Sequence, residues 1–86
     1  MFVVLSYDIN HKRVHKALKI CRKYLSHAHR SVFEGEISEA KLKRLERELE
    51  KVIDVENDSI KIYRMSAPRF VEKDEIGKCD THVSII

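Results

Sequence analysis

Residues 2 to 9, FVVLSYDI, constrain the fold more than any other stretch: they are β-branched and aromatic, apolar almost without a break, and carry a carboxylate at Asp8. A run of that kind reads as a central strand covered on at least one face. The chain has 86 residues, enough for one domain that buries about 60 to 65% of its unfolded surface. Self-association would add burial, so a dimer is expected before any motif is considered. The strand also poses a question, because an acid is a costly residue to place at the end of the most buried segment of a small protein.

The elements that follow read in order. Asn10 offers a helix cap, and Val14, Ala17, Leu18, Cys21 and Leu25 then recur at helical spacing. Residues 28 to 37, AHRSVFEGEI, alternate imperfectly around Gly35 and form either one bent strand or two short strands about a tight connection, two being favoured. Ser38 can cap a second helix whose Leu42, Leu45, Leu49, Val52 and Ile53 make a narrow stripe among charges, with Glu39 and Lys43 at i, i+4. In DSIKIYRM, residues 58 to 65, Ile60 and Ile62 alternate with Lys61 and Tyr63, a half-buried strand. Residues 66 to 80 read as a long connection with Pro68 and Gly77, and THVSII, 81 to 86, regains strand character.

This order predicts two helices on one face of a mainly antiparallel sheet: an α+β, ferredoxin-like two-layer sandwich, β-α-β-β-α-β, over residues 1–65. Residues 66–86 would add a connection and a C-terminal strand that completes a dimer. The open face of the sheet is a natural dimer surface.

Charge is distributed unevenly. There are 17 Lys plus Arg against 14 Asp plus Glu, yet between Asp8 and Glu34 there is no acid at all. That stretch carries Lys12, Arg13, Lys16, Lys19, Arg22, Lys23 and Arg30 with His11, His15, His27 and His29. A basic surface of this density favours a phosphate backbone as partner over a merely solvated helix face. Cys21 and Cys79 have no metal-ligand spacing and give no disulfide framework, and Cys21 falls on the apolar stripe as a small core residue. Phe2 to Leu5 is too short and lacks the basic lead of a signal peptide, and no stretch approaches a membrane span, so a cytoplasmic protein is expected.

YDI at residues 7 to 9, the basic helix after it, SVFEGE at 31 to 36 and DSIKIY at 58 to 63 together resemble the small CRISPR-associated adaptation protein family, Cas-two. The resemblance covers residues 1 to about 65 in order and spacing, and the tail more loosely. It implies a homodimer of ferredoxin-like subunits whose sheets face each other and whose C-terminal strand adds to the partner's sheet. It implies a role in spacer acquisition, in which the dimer bridges two copies of an integrase subunit, Cas-one, along duplex DNA. It further implies an endonuclease dependent on Mg²⁺ and acting on single-stranded RNA or double-stranded DNA, with Asp8 of each chain as catalytic metal ligand near the twofold axis.

One carboxylate is too little for Mg²⁺, which takes octahedral oxygen coordination, whereas two copies of Asp8 across a twofold axis can share an ion. The competing reading has Asp8 cap the following helix and favour its N-terminus. The residues alone leave both open, and the resemblance points to the metal. Where many family members carry Arg and Gln before SVF, this chain has His27 and His29, with Arg30 adjacent. Arg13, Lys16, Arg22 and Arg30 are the candidates for phosphate contacts. Phe33 reads as core or interface, with base stacking the minority role. Tyr7 would orient Asp8 or a phosphate, or be a buried aromatic with its polar tip outside. His11 and His15, at i, i+4, lack a third ligand in sequence and read as an exposed pair. Three functions follow: a DNA-binding scaffold, a metal-dependent nuclease, and, last, a generic RNA-binding module without catalysis, for which the aromatic strand motif of RNA-recognition domains is missing.

Overall fold

The computed structural model describes residues 1–65, with 74 and 76. Strand β1 spans Phe2–Asp8, helix α1 His11–Tyr24, β2 Ser26–His29, β3 Val32–Glu36, α2 Glu39–Glu50 and β4 Ser59–Met65. The strands form one sheet in the order β2-β3-β1-β4, and each neighbouring pair is antiparallel. That is the split β-α-β topology of the ferredoxin-like sandwich expected from the sequence. The connection and final strand expected over 66–86 lie outside the described residues.

Period-two alternation sorts β1. Val3 and Leu5 are fully buried under the helices, together with Ala17, Cys21, Leu25, Phe33, Ile37, Leu42, Leu45 and Leu49. Phe2, Val4, Ser6 and Asp8 therefore belong to the opposite face. Burial of each of the three α2 leucines contributes on the order of 1.5–3 kcal/mol, so the narrow stripe suffices to hold a helix that is otherwise charged.

Local chemistry sets the helix boundaries. The Asn10 side chain accepts from Lys12 N at 2.9 Å and begins α1. Ser38 Oγ accepts from Lys41 N at 3.2 Å and begins α2. Both are side-chain caps that satisfy helical amides lacking a backbone partner. Arg22 and Lys23 sit in the last turn of α1, where cations complement the helix dipole. Lys23 and Tyr24 both donate to the Glu48 carboxylate of α2 and tie the two helices together at the surface.

Two boundaries differ from the sequence expectation. Residues 28 to 37 do form two strands, but the chain turns at Arg30 and Ser31, and β2 starts at Ser26. Gly35 lies inside β3 opposite Val3; at φ +156° it holds a conformation that glycine reaches without strain. The irregularity falls instead between His27 and His29, where the β2–β3 register shifts. At the end of α2, Val52 and Ile53 lie beyond the helix, although Val52 still packs on the core. Glu39 pairs with Arg64 of β4 at 2.8 Å and makes no bond to Lys43 among the described residues.

Candidate functional site

Asp8 ends β1 opposite Ser59 of β4. Its side chain is exposed and, among the described residues, makes no hydrogen bond or ion pair. Helix capping is thereby excluded as its role, because Asn10 supplies the cap. The acid that supports the start of α1 is a different one.

Asp58 immediately precedes β4, and its side chain is 1% exposed. Its Oδ1 accepts from Asn10 N at 3.0 Å and Arg13 Nη2 at 2.9 Å. Its Oδ2 accepts from Arg13 Nε at 2.6 Å and Asp54 N at 2.9 Å. A carboxylate in this position is buried but fully compensated, since it receives a two-pronged guanidinium and two backbone amides. The Arg13 guanidinium holds the Asp58 carboxyl well below the ordinary carboxylate range, followed by the backbone donors, with burial opposing. The same bond raises Arg13 above its ordinary value. Of the candidate phosphate contacts, Arg13 is thus engaged inside the fold. Sequence reasoning missed Asp58 because its partner lies 45 residues away, and a lone Asp before a strand carries no local signal of a pair.

At the same end of the sheet a second set of bonds secures the β2–β3 turn. The Tyr7 hydroxyl donates to Arg30 O at 2.9 Å, His27 Nε2 lies 3.0 Å from the same carbonyl, and Tyr7 N donates to Ser31 O at 3.0 Å. Burial, first, raises the Tyr7 phenol above its ordinary value. Tyr7 therefore positions the turn that carries Arg30 and leaves the Asp8 carboxylate alone. The His27 ring stacks on Phe33, with centroids 4.5 Å apart and planes at 9°. Phe33 is fully buried, which rules out the base-stacking reading and makes it core.

Helix α1 presents the remaining cations. Lys12, Lys16, Lys19 and Lys23 fall at i, i+4, i+7 and i+11, one stripe of the helix, and His11, His15 and Arg22 fall on another. Lys12, Lys16, Lys19 and Arg22 are exposed and make no ion pair among the described residues, whereas Lys23 is bound to Glu48. Arg13 to Arg22 spans about 14 Å along the axis at 1.5 Å per residue. Asp8, Arg13 and the Arg30 turn are brought to one end of the sheet, and Lys16 and Arg22 extend the basic surface away from it. His11 and His15 are exposed, and no group of three metal-ligating side chains occurs among the described residues. Nor is any described helix long and apolar enough to cross a membrane.

Comparison with known proteins agrees with this arrangement. The sequence profile of the family described as CRISPR associated protein Cas2 matches residues 1–73. The chain belongs to the Cas2 family. It is 43% identical over 77 residues to the CRISPR-associated endoribonuclease Cas2 of Dictyoglomus turgidum, covering 90% of this chain and 88% of that protein. To the protein of the same name from Frankia alni it is 47% identical over 77 residues, with the same two coverages, 90% and 88%. The crystal structure described as that of cas2 superposes with a TM-score of 0.85 at 36% identity, covering all of this chain and 97% of that one. The crystal structure of Streptococcus pyogenes Cas2 at pH 6.5 superposes with a TM-score of 0.72 at 30% identity over 87% of this chain and 100% of that one. Membership of the Cas2 family makes this a CRISPR-associated protein.

Asp8 has the donor chemistry of a magnesium ligand: its oxygens are hard, exposed and unclaimed by any described residue, and Mg²⁺ is held by one or two such carboxylates with waters completing its coordination.

Proposed function

We propose that the chain works in CRISPR adaptation as a nucleic-acid-binding homodimer that bridges integrase subunits, with Mg²⁺-dependent endonuclease activity on RNA or double-stranded DNA at a pair of Asp8 side chains. The observation that carries the catalytic part is Asp8 itself: an exposed carboxylate, on the sheet face away from the helices, which serves no bond within the described fold. An unused acid at the end of the strand that leads into a basic helix is explained by a ligand that arrives from outside. The names of the relatives, as endoribonucleases, support phosphodiester hydrolysis as the reaction. A magnesium ion shared by two Asp8 carboxylates would supply Lewis acidity toward a phosphodiester.

The other residues have roles that need no metal. Lys16 and Arg22, exposed on α1, and Arg30, on the turn held by Tyr7 and His27, would attract and orient a phosphate backbone. The basic surface of α1, which extends well beyond Asp8, supports a second reading in which the dimer is a duplex-binding scaffold without turnover. A base-stacking RNA module has little support, because Phe33 is in the core and Tyr63 is the exposed aromatic among the described residues.

The deciding experiment is cleavage of labelled single-stranded RNA and duplex DNA by wild type and Asp8→Asn, with magnesium and with chelator, alongside duplex binding by both. Magnesium-dependent cleavage that vanishes in the variant while binding persists is the expected result. Binding without cleavage by either protein would establish the scaffold reading in its place.

A further inference from the structure

The buried carboxylate of Asp58 joins two turns that otherwise have no reason to move together. One is the turn from β1 into α1, held through Asn10 N and the Arg13 guanidinium. The other is the turn from α2 into β4, held through Asp54 N. It is braced in its own right, since Asp58 N donates to Asp54 O at 2.7 Å. The Asp54 carboxylate in turn accepts from Glu56 N and the Asn57 amide at 3.0 and 2.8 Å. Asp8 sits between the two. It is two residues before Asn10 on one strand, and its register partner on the other is Ser59, the residue after Asp58.

Strand ends fray unless something beyond the last pair holds them. Here the last β1–β4 pair contains the candidate ligand, and the Asp58–Arg13 pair lies directly beyond it. We propose that Asp58 and Arg13 are positioning residues, a buried clamp that fixes the end of β1 so that the Asp8 carboxylate is presented in one place to a divalent cation shared with a second copy. The inference rests on the metal reading of Asp8 for its purpose, but the clamp itself is a property of this chain and is measurable without metal. Burial of the Asp58 carboxylate, with the Arg13 side chain half-buried over it, supports the same conclusion, because a bidentate carboxylate–guanidinium pair confers geometry more than stability.

The test uses the full-length protein with Arg13→Lys, which keeps the charge and loses the fork, and Asp58→Asn, which keeps the shape and loses the charge. Glu39→Gln, which breaks the exposed Arg64 pair near the other end of β4, is the control for loss of an ordinary ion pair. Backbone ¹⁵N relaxation without metal reads the clamp. The expected result is a fall in order parameter at Asp8, Ile9 and Asn10, from a rigid value of about 0.85 toward 0.6, in both clamp variants, while β3 and α2 remain as in wild type. Glu39→Gln should leave all of these unchanged. Electron paramagnetic resonance titration with Mn²⁺ reads the consequence: affinity at the Asp8-dependent site should fall about tenfold or more in each clamp variant, as supporting residues around metal ligands commonly show. Rigid Asp8–Asn10 amides in a folded Arg13→Lys protein would overturn the clamp. So would unchanged Mn²⁺ affinity in variants where Asp8→Asn abolishes binding. If wild type binds no Mn²⁺ through Asp8, the metal purpose of the clamp falls along with the metal reading, while the order parameters still decide whether the clamp exists.

Discussion

Replacing Gly35 by alanine isolates one backbone requirement of the fold. Gly35 has φ +156°, in the region where an L side chain is strained at a cost of about 1–3 kcal/mol. The new methyl would meet Leu25 Cδ2 at 3.4 Å and Leu25 Cα at 3.8 Å, ordinary contacts that add little. Against the strain stands a gain of about 0.4–1 kcal/mol from restricting the unfolded chain. The net expectation is a destabilisation of about 1–2 kcal/mol, and for a domain of this size each kcal/mol moves the midpoint by about 4–8 °C. Thermal unfolding followed by far-UV circular dichroism, at one fixed protein concentration because self-association would shift the midpoint, should therefore show Gly35→Ala melting about 5–15 °C below wild type. An equal or higher midpoint would mean that the backbone relaxes into ordinary extended geometry. Glycine would then not be required at this position of β3.

Leu45→Ala, at a fully buried position on α2, should cost about 2–5 kcal/mol by denaturant titration, and a cost under about 1 kcal/mol would show that α2 packs loosely. Asp58 has its folded-state pKa depressed by Arg13, so its contribution to stability is complete above the unfolded value near 3.9 and is lost as pH falls below it. Acid titration of stability should accordingly show a fall below about pH 4 that is smaller in Asp58→Asn; identical acid limbs would remove the pair as the cause. Burial pushes the Cys21 thiol up to about 12, so in a Cys79→Ser background it should react with a disulfide reagent at pH 8 only through opening of the fold. A rapid native reaction would contradict its placement in the core. Charge reversal at Lys16 and Arg22, which have no ion-pair partner among the described residues, should weaken duplex binding for all sequences alike and flatten its salt dependence. Unchanged binding would remove α1 as the phosphate surface.

How much of this was legible in the sequence depended on how local each cause is. The helix caps at Asn10 and Ser38, the stripe from Leu42 to Leu49 and the alternation in β4 depend on residues a few positions apart, and each falls where spacing predicts it. The β2–β3 boundary differs from the sequence expectation because Gly35 reads as a chain break, whereas its freedom is used inside a strand. The Arg30–Ser31 turn is secured instead by Tyr7 and His27, a convergence that has no signature in either segment. The charged pair of Asp58 and Arg13 was illegible for the same reason. Each residue has an ordinary reading alone, and the fold creates the pair.

That division of labour bears on Asp8. A carboxylate near the start of a helix invites a structural explanation, and two structural positions for such a group exist here, the cap and the partner of Arg13. Asn10 fills the first and Asp58 the second. Removing the charge at Asp8 therefore takes away no bond that the described fold uses, and Asp8→Asn should lie within about 0.5 kcal/mol of wild type, as exposed substitutions do. Loss of cleavage in that variant would then report on chemistry at the carboxylate. A large loss of stability would instead reveal a structural partner for Asp8 beyond the described residues, and the case for a ligand from outside would fail.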